Sequence, residues 1–450
     1  MKVIEPATEK VLAEVAEASV KDADRAVARA KATYPAWRAV SPGDRAKLLR
    51  RFANAVAGDA GKLAELEARN VGKPISDARG EVGMVVDVFN YYAGAPERLL
   101  GNTIPVAGGV DMTFREPLGV VALIVPWNFP IAITSWKLGP ALAAGNTVVL
   151  KPAALTPMTA LELEHLAVKA GIPEGVFKVV VGAGRTVGER LVQHPDVAKV
   201  AFTGSTEVGR RIGALAADSI KRVTLELGGK SANIVFADAD IDRAAASAPG
   251  AVFGNAGQDC CARSRILVER SVVERFMQAL ETAIKKLRVG DPMDEKTEMG
   301  PLISADHRSK VATYLEDGAK VAIRGSAPSG AGFWFPPTVL SPVAPTDRAA
   351  REEIFGPIVA VIPFSDEADA IRIANDTVYG LSGSIWTHNA GRAMRVARAL
   401  ETGTISINSN TSVRVTTPFG GFKQSGIGRE LGPNALDHYT ELKNVFLSTT

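Results

Sequence analysis

The stretch VVALIVPWNFPIAITSWKLGPALAAGNTVVL, Val120 to Leu150, decides the fold class. Val120–Val125 is a short, unbroken apolar run, the texture of a strand covered on both faces. A helical pattern follows near Trp136–Ala144, and Thr147–Leu150 is again β-rich. Toward the C-terminus the alternation continues: a helix near Thr159–Ala170, a strand at Val176–Val181, a helix at Val187–Gln193 and a strand at Val197–Phe202. This pattern predicts a parallel sheet with crossover helices. A second series follows Glu226, with strands at Asn233–Phe236, Ile266–Val268, Ala319–Ile323 and Thr404–Ile407 and helices between them. Arg324 to Asp347, rich in Pro and Gly, reads as loops. The expected fold class is α/β.

Toward the N-terminus the first hundred residues read mainly as helices. Ser19 is placed to cap one through Ala23, Val27 and Ala30, and Ser41-Pro42 opens another through Leu48, Leu49, Phe52 and Val56. The Gly-rich stretch Gly101–Gly109 leads into an expected hairpin ending near Gly119. No fixed-period repeat interrupts the chain.

Composition narrows the function. The 450 residues suffice for two or three domains, and 46% apolar with 22% charged residues is ordinary for a globular enzyme. With 52 basic against 49 acidic residues, the net charge of +3 makes no case for a nucleic-acid or membrane partner. MKVIEPATEK lacks the apolar core of a secretory signal, so a cytoplasmic enzyme is expected. The two cysteines, Cys260 and Cys261, are neighbours and cannot staple distant segments, which fits a reducing compartment. The five histidines are scattered, so no metal site is expected.

Three glycine loops compete as phosphate cradles: Gly182-x-Gly184-x-x-x-Gly188, Gly204-Ser-Thr-Glu-Val-Gly209 and Leu227-Gly-Gly-Lys230. Each alone reads more readily as a tight turn; the first two, at strand-to-helix junctions, can present backbone N–H groups to a pyrophosphate. The stretch Phe253-Gly-Asn-Ala-Gly-Gln-Asp-Cys260-Cys261 adds weight to chemistry. A buried cysteine is usually a small hydrophobe, but Gly, Asn, Gln and Asp make a poor core strand and a good setting for a reactive thiol.

Six blocks in order, Pro126-Trp-Asn-Phe-Pro130, Phe202-Thr-Gly-Ser-Thr-Glu-Val-Gly209, Leu225-Glu-Leu-Gly-Gly-Lys230, Gly257-Gln-x-Cys260, Glu353-Ile-Phe-Gly-Pro357 and Pro418-Phe-Gly-Gly-Phe-Lys423, resemble the aldehyde dehydrogenase superfamily over essentially the whole chain. The resemblance implies oxidation of an aldehyde to its acid with NAD, or NADP, through a thioester. Cys260 matches the nucleophile, Glu226 the base that activates water, and Asn128 the oxyanion donor beside the Cys260 backbone N–H. Lys137 and Glu430 match a proton relay. Trp127, Lys151, Gly204, Ser205 and Gly209 match the cofactor's pyrophosphate and ribose site, and Glu353 with Phe355 its nicotinamide ribose. Phe129, Trp136 and Phe419 match aromatic walls of a substrate tunnel, although core aromatics would read the same way.

Two departures from the family pattern stand out. Lys151-Pro-Ala-Ala154 has alanine where NAD-using members commonly carry a glutamate that repels a 2′-phosphate. Asp259, just before the nucleophile, resembles members that oxidise aminoaldehydes such as 4-aminobutanal. The resemblance further implies a Rossmann-like cofactor domain from 1–99 and 120–228, a catalytic domain over 229–427 with its boundary near Gly228, and an oligomerisation element from 100–119 and 428–450. The expected assembly is a homodimer or a dimer of dimers. The alternatives are a CoA-acylating dehydrogenase, an acyl-phosphate reductase, or a non-catalytic protein on the same fold. The first two relatives generally lack the glutamate base, and retired copies usually lose nucleophile or base.

Overall fold

The computed structural model describes residues 1–316 and 318–449. Asp317 and Thr450, inside the expected 229–427 and 428–450 segments, lie outside the described residues. Helix α1 (Val20–Arg38) starts where Ser19 and Asp22 exchange side-chain and backbone hydrogen bonds in a capping box, and its Ala23, Val27 and Ala30 are buried. Helix α2 (Pro42–Gly58) is capped by Ser41, and Leu49, Phe52 and Val56 are buried while Leu48 stays half-buried. Helices α3 (Ala60–Val71) and α4 (Ile75–Ala93) complete the layer. Helix α5 (Pro130–Ala144) is buried at all of its positions, since it has no polar face to turn to water. It packs between α4 and the strands Val120–Ile124 and Thr147–Lys151.

Those strands belong to a six-stranded sheet with the order 426–427, 222–226, 197–203, 120–124, 147–151, 177–179. All its pairings are parallel except that of Gly426–Ile427, which runs antiparallel to Arg222–Glu226. The chain enters the sheet at 120–124, grows outward through 147–151 and 177–179, and then returns to the other side with 197–203. Neighbouring strands 120–124 and 197–203 therefore send their connections to opposite faces. The crevice beyond their carboxyl ends is where an open α/β sheet takes a ligand. A seven-stranded sheet follows, ordered 321–324, 338–340, 358–364, 265–269, 232–235, 382–386, 404–407, with only its first pair antiparallel. Gly228 lies on the link between the two sheets. A third, antiparallel sheet joins Thr440–Ser448, Gly109–Pro117 and Thr103–Val106.

Several expectations need correction. The N-terminus opens with a hairpin, Lys2–Ile4 against Val11–Glu14, before any helix. Thr338–Leu340 is a buried strand inside the region read as loops; it is only three residues long, and Pro336, Pro337 and Pro342 around it signal a turn. Ile358–Phe364 and Ser382–Trp386, both interior strands, were absent from the expected second series. The strand expected at Ala319–Ile323 begins at Val321. Residues Gly184–Gly188 form a π turn ahead of the helix Glu189–Gln193. Among the described residues no helix is long and apolar enough to cross a membrane.

Candidate active site

The crevice at the switch point is a cleft of about 220 Å³. Strand 120–124 runs into Pro126, Trp127 and Asn128; strand 197–203 runs into Gly204 and Ser205; Gly228 follows strand 222–226. Cys260, Glu353 and Phe355 close the opposite wall, with His307 and Lys310. Seven residues expected from the sequence thus line one cleft: Trp127, Asn128, Gly204, Ser205, Cys260, Glu353 and Phe355. A larger groove, about 730 Å³, lies between the start of α1 and strand Phe177–Val179 and holds none of them.

The cysteine loop is held in an unusual backbone. Asn255, Ala256 and Gly257 follow one another with φ of 50°, 55° and 71°. Left-handed alanine costs roughly 1–3 kcal/mol, so its neighbours must hold it. Gln258 does so: its side-chain amide donates to the Asn255 carbonyl at 3.0 Å, and its Oε1 accepts from the Ile303 N–H at 2.8 Å. Asn128 Nδ2 donates to the Gln258 carbonyl at 2.9 Å, which ties the two loops together. A primary amide has two N–H donors, so a second remains for a ligand. Gly229 is required for close approach, because a Cβ there would come within 2.1 Å of the Cys260 carbonyl oxygen.

Cys260 is half-buried and Cys261 buried, and both are free thiols. The Asp259 carboxylate and both sulfurs lie within 4.8 Å of one another. The hydrogen-bonding Cys261 thiol, then burial and the charges of Asp259 and Glu353, hold the Cys260 thiol well above its ordinary pKa. Asp259 is turned onto its own loop, accepting from the Cys261 N–H at 2.8 Å, and burial pushes its pKa up.

Glu226 ends the strand next to 197–203 and is buried. Among the described residues neither of its carboxylate oxygens has a hydrogen-bond partner. Burial, and then the charge of Glu430, raise its pKa well above the carboxylate range, against the pull of Lys137. Lys137, from α5, pairs with Glu430 in a buried contact, and Glu430 Oε2 is left without a partner among the described residues. Gly420 makes room for Glu226: a Cβ there would meet Glu226 Oε1 at 2.7 Å.

Around the cleft, Glu353 Oε1 accepts from the Gly229 N–H at 2.8 Å, and burial lifts its pKa to about 7. The Phe355 ring meets Trp127 edge to face at 5.3 Å, and its carbonyl bonds His307 Nε2 at 2.7 Å. Ser205 caps the helix Thr206–Ala217. Gly209 does not line the cleft; it admits Leu227, whose Cδ2 would lie 2.3 Å from an added Cβ. Lys151 is also outside it, donating to the Pro152 carbonyl at 2.9 Å, with burial lowering its pKa to about 8. Trp136 and Phe419 are buried edge to face at 5.3 Å, and Phe129 packs under the Lys73 ammonium, 4.2 Å from its ring centroid. Sequence reading missed His307 and Lys310, where a lone histidine in a helix gave no pattern. It also missed Lys73, whose burial nothing in a polar helix junction announces.

A family profile described as Aldehyde dehydrogenase family matches residues 1–445. An aldehyde dehydrogenase of Emericella nidulans is 45% identical, covering 99% of this chain and 91% of its own length. The betaine aldehyde dehydrogenase of Bacillus subtilis is 40% identical, covering 99% of this chain and 94% of its own. Among solved structures, an NAD+ complex of an aldehyde dehydrogenase from Bacillus cereus matches with a TM-score of 0.98 at 42% identity, over 100% of this chain and 93% of that one.

Proposed function

The chain belongs to the aldehyde dehydrogenase family, and from that premise we propose that it oxidises an aldehyde to its acid through a thioester on Cys260. As a family member it is an NAD(P)-dependent oxidoreductase of aldehydes. The observation that carries the reading is one cleft lined by Cys260, Asn128 and Glu353, with the buried carboxylate of Glu226, partnerless among the described residues, within electrostatic reach of Cys261.

In this reading the Cys260 thiolate adds to the aldehyde carbon. The free N–H of the Asn128 amide and the Cys260 backbone N–H hold the resulting oxyanion, each worth roughly 3 kcal/mol. Bound nicotinamide supplies the hydride acceptor. Glu226 then takes a proton from water as it attacks the thioester, and Glu430, held by the Lys137 ammonium, receives that proton behind it. The residues fit the cofactor. The N-terminus of the helix Thr206–Ala217, with Gly204 and Ser205, suits a pyrophosphate, and Glu353 is a ribose acceptor. Lys151 extends the site toward the adenosine ribose. Ala154 puts no carboxylate there, so NADP is accepted as well as NAD.

For substrate we infer a short aldehyde with a cationic head. Support comes from the 40% identity to the Bacillus subtilis betaine aldehyde dehydrogenase and from the Trp136–Phe419 pair. Asp259 is committed to its own loop, which leaves aromatic faces as the cation's partners, worth about 0.5–2 kcal/mol. The third sheet exposes Phe114, Leu442, Phe446 and Leu447, and a second copy of this chain is the partner inferred for it.

The test is NADH formation from an aldehyde panel with and without CoA. NADH and free acid without CoA are expected; dependence on CoA would refute the hydrolytic reading. Comparing 4-aminobutanal with pentanal on wild type and Trp136→Leu tests the substrate class. Loss of an amine preference in the variant supports it, and equal rates in wild type refute it.

A further inference from the structure

Lys73 joins α3 to α4 and is 1% exposed. Its ammonium donates to both oxygens of Glu81, at 2.5 and 2.7 Å, and to the backbone carbonyl of Asn128 at 3.0 Å. All three of its donors are used. We propose that Lys73 is a positioning residue for the oxyanion site, holding the Asn128 carbonyl so that the Asn128 amide stays aimed at the oxyanion that forms on the substrate carbon bound to Cys260 Sγ. The proposal rests on the reading of Asn128 as an oxyanion donor.

The grip on this loop has several points. The Asn255 amide donates to the same Asn128 carbonyl at 3.0 Å and to the Gln258 carbonyl at 3.2 Å, so the donor loop and the cysteine loop share one clamp. The Lys73 ammonium also lies over the Phe129 ring. Glu67, fully buried, has an oxygen 3.9 Å from Lys73 Nζ, accepts from the Ile131 N–H at 3.3 Å and from Thr159 Oγ1 at 2.8 Å. It therefore holds the first turn of α5 just past Asn128. None of these groups lines the cleft.

A buried ion pair is weak evidence for stability, since well-packed apolar groups of like volume often do as well. Burial raises the carboxyl pKa of Glu67 and that of Glu81, the latter to about 8, against the pull of the Lys73 charge. What an apolar replacement could not do is donate to the Asn128 carbonyl. Small displacements of a catalytic donor are costly, about 10²-fold per ångström.

The experiment uses p-nitrophenyl acetate, an activated ester that acylates Cys260 through a tetrahedral oxyanion without any cofactor. In stopped flow the nitrophenolate burst amplitude counts intact sites, and its rate constant reports oxyanion formation. The double variant Lys73→Met/Glu81→Gln removes the charge pair together. Its burst rate constant is expected to fall about 10- to 100-fold at unchanged amplitude. Glu81→Gln alone, which removes only the counter-charge, is expected to lower it about two- to fivefold. Each loss should vanish in an Asn128→Ala background, because Lys73 acts through that residue. Lost amplitude at an unchanged rate constant, or losses that add to Asn128→Ala, would overturn the proposal while the Asn128 reading stands. A wild-type rate constant in both variants does the same. If Asn128→Ala itself keeps the wild-type rate, the Asn128 reading falls and takes this inference with it.

Discussion

Two buried lysine–glutamate pairs lie beneath the cleft, and they are built to opposite specifications. Behind Asn128, Lys73 spends every donor, and Glu67 and Glu81 accept hydrogen bonds on both oxygens. Behind Glu226, the Lys137–Glu430 pair leaves Glu430 Oε2 and both Glu226 oxygens without partners among the described residues. A saturated network fixes geometry; an unsaturated one has lone pairs to lend. The first arrangement suits holding a donor still, and the second suits passing a proton.

The comparison presupposes that both pairs serve one thiol. Cys260→Ala should cost at least about 10⁴-fold in kcat, while Cys261→Ala should stay within about threefold. Comparable losses from the two replacements would move the nucleophile and dissolve the comparison. Next in size is Glu226→Gln, which removes the base but not the attack. A burst of about one NADH per site should survive while turnover falls about 10²- to 10⁴-fold; disappearance of the burst would mean that Glu226 mainly activates the thiol.

Glu430→Gln sharpens the contrast through pH. Because the Glu430 charge helps raise the Glu226 pKa, its removal favours ionised Glu226, and so does the unpaired Lys137 cation it leaves. The rising limb of the turnover-against-pH profile should move to lower pH. A limb that stays put or moves up would contradict the electrostatic coupling. The smallest effect expected is on thiol reactivity. Asp259→Ala removes a charge that raises the Cys260 pKa, so iodoacetamide should alkylate Cys260 a few-fold faster at pH 7. Slower alkylation would show that Asp259 supports the loop more than it opposes the thiolate.

Legibility followed burial pattern. Val120–Val125 was readable because a strand covered on both faces is an unbroken apolar run, and Val197–Phe202 because only the buried Lys199 breaks its run. Thr338–Leu340 was hidden because its flanking prolines outweighed a strand of only three residues. Within the site, Cys260, Glu226, Asn128 and Glu353 stood in recognisable blocks. The left-handed Ala256 had no signal, since any alanine looks the same in sequence. The Lys73 cluster was equally silent: Glu67, Lys73 and Glu81 around a helix junction read as a solvated face until α5 is seen packed over them.

The cover over Glu226 also has a place in time. Asn128, Glu226 and Cys260 leave the ribosome in that order, whereas Gly420, the strand Gly426–Ile427 and Glu430 follow long after. Until they arrive, one edge of the strand Arg222–Glu226 is open to water. Glu226 then lacks the cover that Gly420 and Glu430 later bring, and the cysteine loop lies beside a site without its back wall. A nascent chain in that interval holds Asn128 and Cys260 but not yet the burial that raises the Glu226 pKa. The late strand therefore completes a sheet and also closes the wall behind Glu226.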